Sequence, residues 1–227
     1  PFGQLETNLV NDTIGLEMVS PDQSIGFRES AGLLSWTTGM LSIEGYVFNS
    51  QEDDDDELSD FGVSFAFGNE AMGLGIDYLS DISDSMVISG EEGLVDDGFN
   101  HDGEVSALSI SGRARFGAIN LLAEHIQFDE LSQAGIIALE GEPSFSQIDA
   151  GFDLGNGWTI AVAYQVTDEA AVLGLPETRI TAGISTSIYD DNVSVTLEYW
   201  HDEDYNENDA GTNEDLNGLV IQIAAEF

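Results

Sequence analysis

Apolar and polar residues alternate one by one through most of this chain. Phe61, Val63, Phe65 and Phe67 take turns with Gly62, Ser64, Ala66 and Gly68. Ile148, Ala150, Phe152 and Leu154 do so with Gln147, Asp149, Gly151 and Asp153. Ile180, Ala182, Ile184 and Ile188 share their stretch with Arg179, Thr181, Gly183, Ser185 and Ser187. Successive side chains of a strand point to opposite faces, so a period of two predicts strands with one apolar and one polar face. Thirteen such strands are expected, at residues 3–10, 13–19, 32–37, 39–48, 61–68, 71–79, 104–116, 118–128, 146–154, 157–166, 178–188, 192–200 and 218–227.

The connections alternate too. Short turns fall at Asn11 and Asp12, Thr37 and Thr38, Asn69 and Glu70, Gly117, the Gly155, Asn156, Gly157 triplet, and residues 189–192. Long polar loops fall at 20–31, 49–60, 80–103, 129–145, 167–177 and 201–217. A soluble sandwich or jelly roll also alternates within its strands. It does not collect its long loops at one end so regularly, whereas outer-membrane barrels pair tight periplasmic turns with long external loops.

Hydrophobic residues make up 42% of the 227 positions, which excludes simple disorder. No apolar run approaches the ~18–20 residues of a membrane helix, but a tilted strand spans with only ~9–11 residues and one apolar face. The expected fold is therefore all-β: an antiparallel up-and-down transmembrane β-barrel, one domain over residues 1–227, with 12–13 strands in this chain. The aromatics Phe48, Phe61, Tyr78, Trp158, Tyr164, Tyr199, Trp200 and Phe227 stand near expected strand ends, where interfacial girdles belong. The last strand keeps its parity to the terminal Phe227, which resembles the signal by which such barrels are recognised for insertion. An odd count places the first residue on the outside, and bacterial single-chain barrels are even-stranded. Three further strands upstream would make sixteen, a pore-sized barrel.

Charge narrows the partners. There are 44 acids against 4 bases, a formal net charge of −40. Nucleic acid is excluded as a partner, because its binding relies on basic groups that neutralise phosphates. Anionic lipid leaflets would repel such a surface unless divalent cations intervene. Either the acids are a general adaptation to salty surroundings, or they gather in loops that collect cations. There is no cysteine, hence neither a disulfide framework nor a thiolate metal site. The opening Pro1, Phe2, Gly3, Gln4 has neither the basic region nor the apolar stretch of a signal peptide, as expected of a processed chain or a fragment.

The four bases are Arg28, Arg113, Arg115 and Arg179. Arg28 falls in a long loop; the other three take the polar parity of their strands, which in a barrel is the lumen. They form either a small basic patch that orients a permeating anion or metal chelate, or structural ion pairs with Asp149, Asp153, Glu198 or Glu226. His125 lies on a neighbouring strand of less clear parity. In the loops, Asp53, Asp54, Asp55 and Asp56 run together, followed by Glu57. Glu91, Glu92, Asp96, Asp97, Asp102 and Glu104 crowd another loop. Asp202, Asp204 and Asn206 have the every-other-residue spacing of a calcium loop, but Glu207 stands where the turn glycine of such a loop belongs. Ca²⁺ in these acidic loops is the one cofactor the sequence suggests. No enzyme signature is present, neither a nucleophile elbow, a zinc-binding helix nor a phosphate loop.

Several stretches resemble the LbtU-type siderophore porins, a family of Gram-negative outer-membrane barrels. They are Pro1, Phe2, Gly3, Gln4 with Glu6, Thr7, Asn8, Leu9, Val10; and Gly45, Tyr46, Val47, Phe48, Asn49. Stronger are Thr167, Asp168, Glu169, Ala170 with Leu173, Gly174, Leu175, Pro176, Glu177, Thr178, Arg179; and the run from Glu198 through Tyr199, Trp200, His201, Asp202, Glu203, Asp204 to Tyr205. The resemblance implies a porin-like barrel linked to iron-siderophore uptake, whose members place further strands and a helical segment ahead of the Pro-Phe-Gly sequence. It carries no binding residues over to this chain.

The expected function is thus an outer-membrane channel rather than an enzyme, passing small solutes, iron-siderophore complexes among them, through an acidic, cation-favouring lumen. Its expected partners are outer-membrane lipid and lipopolysaccharide, its solutes, and further copies in an oligomer. The competing expectation is an acidic extracellular structural or adhesive β protein that uses Ca²⁺ to bridge carboxylates.

Overall fold

The computed structural model describes residues 32–48, 60–69, 71–81, 105–132, 140–173, 175–188, 193–209 and 211–225. Its strands are β1 (Gly32–Thr38), β2 (Leu41–Phe48), β3 (Asp60–Gly68), β4 (Met72–Leu79), β5 (Ala107–Phe116), β6 (Ile119–Phe128), β7 (Leu131–Ser132), β8 (Glu140–Gly141), β9 (Ser144–Gly155), β10 (Trp158–Asp168), β11 (Thr178–Ile188), β12 (Val193–Glu203) and β13 (Asp215–Ala225). Eleven of them form one sheet in the order β1-β2-β3-β4-β5-β6-β9-β10-β11-β12-β13, every pair antiparallel. The ribbon β7-β8 stands apart, within the connection between β6 and β9. Among the described residues no pairing joins β1 to β13. The expected strands 3–10 and 13–19 lie outside the described residues, as do Glu226 and Phe227.

Residue chemistry fixes the turns. The first hairpin turns at Gly39 and Met40, not at Thr37 and Thr38, which stay in β1. Gly39 adopts φ +59°, a left-handed conformation that threonine avoids and glycine takes freely. At the β9-β10 hairpin Gly155, Asn156 and Gly157 all have positive φ, and the register shifts at Trp158 and Thr159. In the β3-β4 turn the Asn69 side chain accepts hydrogen bonds from the amides of Ala71 and Met72, at 2.8 and 3.1 Å.

Toward the long loops β9, β10, β12 and β13 extend further than expected, whereas β5 begins at Ala107 rather than 104. β12 continues to Glu203 and β13 begins at Asp215, so the 201–217 loop shrinks to residues 204–214. β9 begins at Ser144, and its 129–145 connection carries β7 and β8. Ladder hydrogen bonding, which needs no apolar side chain, carries these strands past the point where alternation fades.

The two faces of the sheet are opposite in character. One presents Val63, Phe65, Ile76, Ile110, Phe152, Val162, Ile180, Leu197, Ile221 and Ile223, all exposed, Ile223 at 70%. The other is sheltered and mixed, with most of its carboxylates and hydroxyls buried: Ser109 is 0% exposed, Asp149 1%, Glu198 2% and Thr196 2%, and Leu122, Ile126, Phe128 and Phe145 are buried on it too. A curved sheet crowds side chains on its concave side, so that face loses accessibility whatever its chemistry. Here the crowded face holds the polar groups and the open face is apolar, the reverse of a water-soluble domain.

Phe61 and Tyr78 meet on the apolar face with ring centroids 5.9 Å apart, near the long-loop ends of β3 and β4. Trp158 lies at the opposite, short-turn end. Trp200 does not join this girdle. It shares parity with the buried Glu198 and Asp202, and its neighbour Tyr199 takes the outward position. Adjacent strand residues cannot both face outward.

Candidate functional site

The polar inner face is the part of this fold that can do chemistry. Register decides which side chains meet there. Arg179 of β11 stands directly opposite Asp202 of β12. Its Nε donates to Oδ1 and its Nη2 to Oδ2, each at 2.6 Å, a two-pronged charge-assisted contact. The guanidinium carbon lies 5.5 Å from the centre of the Trp200 ring. Trp200 lies against Gly218 of β13, where an added Cβ would come within 2.5 Å of the indole. The absence of a side chain at 218 is what makes room for the ring.

The other two strand arginines behave differently. Arg113 and Arg115 keep the inner parity of β5 with Ser109 and Ser111, but both are exposed. Arg115 Nε donates to the Asn120 side chain across the β5-β6 pair, at 2.6 Å. Arg113 reaches the Asn69 carbonyl in the short β3-β4 turn, at 3.5 Å. No ion pair joins any described arginine to Asp149, Asp153 or Glu198; the one described arginine ion pair is Arg179 with Asp202. Register places Asp202, not one of the expected partners, directly opposite Arg179; the fourth expected partner, Glu226, lies outside the described residues.

The inner carboxylates have their own partners. Asp149 accepts from Gln147 Nε2 at both oxygens, at 3.0 and 2.9 Å. Glu124, absent from the sequence-based candidates, accepts from the Ser109 hydroxyl at 2.7 Å. Asp77 is likewise buried on this face of β4. Their signal was available: each falls on the polar parity of an alternating strand, as Asp149 does. Asp153 sits at the β9-β10 turn and accepts from the Gly155 amide at 2.7 Å, a structural cap. Glu198 is buried, and its Oε2 accepts no hydrogen bond from the described residues. Ser111 and Gln165 also hold a buried polar atom that has no partner among the described residues.

The residues of the calcium-type spacing are engaged in hydrogen bonds of their own. Asp202 is a strand residue committed to Arg179. Asp204 accepts from the amide and hydroxyl of Thr212 and from the Tyr205 amide. Asn206 accepts through its carbonyl from the amides of Asp209 and Gly211. Among the described residues no group of three or more His, Asp or Glu could hold a metal ion. Asp53, Asp54, Asp55, Asp56 and Arg28 lie outside the described residues. His125 faces outward with Ser146, its Nδ1 2.8 Å from the hydroxyl, because it pairs with the outward Ile110.

Two connections at the long-loop end are latched together. The Tyr205 hydroxyl lies 2.6 Å from Thr167 Oγ1 and accepts from the Ala170 amide at 3.2 Å. Ala170, the first residue of the short 3-10 helix η1 (Ala170–Leu173), and Leu175 just beyond it are buried. Burial raises the Tyr205 pKa; the Thr167 and Ala170 hydrogen bonds oppose this, and the Asp168 and Glu177 carboxylates add to it. At Asp204, partial burial pushes the carboxyl up, but its three hydrogen bonds from Thr212 and Tyr205 together hold it below the usual carboxylate range.

The chain is similar in fold to solved porins. One is the OmpF porin of Salmonella typhi, in a complex with daunomycin: 14% identity over 85% of this chain and 61% of that one, TM-score 0.57. Another is a porin refined at 1.8 Å resolution: 15% identity over 86% of this chain and 60% of that one, TM-score 0.56. The chain thus spans about three fifths of the length of the porins it matches. At this identity the likeness establishes a porin-type β-barrel fold. No protein-family model matches the chain, and no curated protein does. The resemblance to siderophore porins therefore stands on the quoted segments alone.

Proposed function

We propose that this protein is a channel of the Gram-negative outer membrane that admits small solutes and favours cations. The observation that carries it is the inversion of the two faces. Isolated exposed leucines or phenylalanines need no explanation, but a continuous apolar face across eleven strands requires an apolar solvent. Lipid is that solvent for a sheet whose backbone groups are satisfied strand to strand. The polar inner face then lines the path, as in porin-type barrels.

Cation preference follows from charge. Asp77, Glu124, Asp149 and Glu198 stand on the inner face. Arg179 is neutralised there by Asp202, and Arg113 and Arg115 sit toward the short-turn rim. A wall of fixed carboxylates attracts cations and repels anions. The segments resembling siderophore porins favour metal chelates as one solute class, to be tested after the pore itself.

The deciding experiment is conductance of the intact protein in a planar bilayer, with reversal potentials in a KCl gradient. Discrete steps with a potassium-selective reversal potential are expected. A protein that gives no steps and stays in solution without detergent would overturn the channel, and would favour the acidic Ca²⁺-bridged extracellular protein instead.

A further inference from the structure

We infer that Glu169 is a clasp that makes the long-loop rim respond as one body, so that a disturbance at Tyr205 reaches Glu142 two connections away. The inference rests on the fold and not on the channel reading.

Ties between neighbouring connections follow the rim. The Asp60 carboxylate accepts from the Ser80 hydroxyl at 3.2 Å, and Asp81 accepts from the Val105 amide at 3.0 Å. The Asp129 amide donates to the Ser106 carbonyl at 2.9 Å, and its carboxylate accepts from the Ser106 hydroxyl at 3.4 Å. The connection between β6 and β9 is fastened at its own base. There the Phe128 amide donates to the Pro143 carbonyl at 2.9 Å, and Gln127 Nε2 to the Glu142 carbonyl at 3.0 Å. One arc of ties thus runs from β3 to Glu142. A second runs from Thr167 and Ala170 through Tyr205 to Asp204 and Thr212.

Glu169 joins the two arcs. Its Oε2 accepts from the Glu142 amide at 2.8 Å. Among the described residues this is the one hydrogen bond outside the β9-β10 ladder that links these two connections. The next residue, Ala170, gives its amide to Tyr205. Ties to two different neighbours therefore leave from adjacent residues. Between them Glu169 has φ +53°, a conformation that a residue with a Cβ keeps only where its surroundings hold it. Gly141, at the end of the β7-β8 ribbon, leaves the space for this side chain. A Cβ added there would lie 3.1 Å from Glu169 Oε2 and 3.4 Å from Glu169 Cβ. Freeing the Ala170 peptide lets the backbone at Glu169 relax, and its carboxylate then withdraws from Glu142. The base of the ribbon is released with it.

The test is hydrogen exchange at the Glu142 amide, read by mass spectrometry on the intact protein in liposomes. Glu169→Ala is expected to speed this exchange roughly tenfold. Glu169→Gln keeps an acceptor oxygen and is expected to restore most of the protection. Tyr205→Phe, which touches nothing near Glu142, is expected to speed exchange there roughly threefold in the otherwise wild-type protein and not at all in Glu169→Ala. If Glu169→Ala does not assemble, Gly141→Ala takes its place, because the added methyl displaces the carboxylate from the other side. Exchange at Glu142 that ignores Tyr205→Phe would overturn the clasp. So would a Tyr205→Phe effect of equal size with and without the Glu169 carboxylate.

Discussion

Arg179 and the pair Arg113, Arg115 stand on the same face of one sheet, at opposite ends, and their fates differ. At the long-loop end Arg179 is half-buried, gripped twice by Asp202 and placed against Trp200. At the short-turn end Arg113 and Arg115 are exposed and bonded to neutral oxygens of Asn69 and Asn120. In sequence the three look alike, each an arginine among small polar residues on an alternating strand. What separates them is the residue that register places opposite: Asp202 for Arg179, Asn120 for Arg115 and Leu122 for Arg113. A charge on a sheltered wall becomes structural where a carboxylate faces it. Elsewhere it stays available to the solvent and to passing ions.

The comparison breaks most severely if an arginine is moved to the other face. Val162 lies midway along the apolar row of β10, and Val162→Arg should cost about 3 kcal/mol in a bilayer. Urea unfolding of the protein in liposomes would measure it; a change below about 1 kcal/mol would mean that this face is not in lipid. Next in size is Asp202→Ala, which removes both carboxylate contacts from the sheltered Arg179. It should destabilise the folded protein by about 3 kcal/mol, read in the same unfolding assay. Arg113→Ser and Arg115→Ser should each change stability by less than about 0.5 kcal/mol. An equal loss at both ends would erase the distinction.

The latch beside the Arg179 site should contribute less. Tyr205→Phe removes the hydroxyl shared with Thr167 and Ala170, and should cost about 1–2 kcal/mol. Faster limited proteolysis within residues 169–177 would report it. The pH dependence of this end has a definite sign. The folded pKa of Tyr205 is raised, so its contribution is complete below the ordinary value of 10.0 and is lost as pH rises through the folded value. The folded pKa of Asp204 is lowered, so its contribution is present above the ordinary 3.8 and is lost as pH falls through the folded value. Proteolysis at the latch should therefore be slowest between these limits, and Thr212→Val should abolish much of the acid-side change. The smallest expected effect is at the short-turn rim. Arg113→Ser with Arg115→Ser should raise the potassium-to-chloride permeability ratio by less than about twofold, because exposed charges are screened.

Alternation alone was enough to read β3, β4, β9, β10, β11 and β12, and with them which residues face inward. The 178–188 strand was legible to the residue. Elsewhere local pattern ran out. The first turn was misplaced by two residues, because the backbone freedom of Gly39 outweighs the polarity of Thr37 and Thr38. Asp202 looked like a loop ligand because apolar alternation stops at Tyr199, while the ladder continues to Glu203. Trp200 looked like a girdle residue because aromatic character was weighed ahead of parity.

The sequence by itself determined the class of fold, the two faces of each strand and the sign of the charge. These depend only on the two-residue period and on composition, which each strand carries locally. Only the tertiary structure decided that Arg179 meets Asp202, that Trp200 lies on Gly218, and that Tyr205 reaches Thr167 and Ala170. Such meetings depend on how far each strand slides against the next. A slip of two residues keeps every parity and changes every partner, so no single strand holds that information.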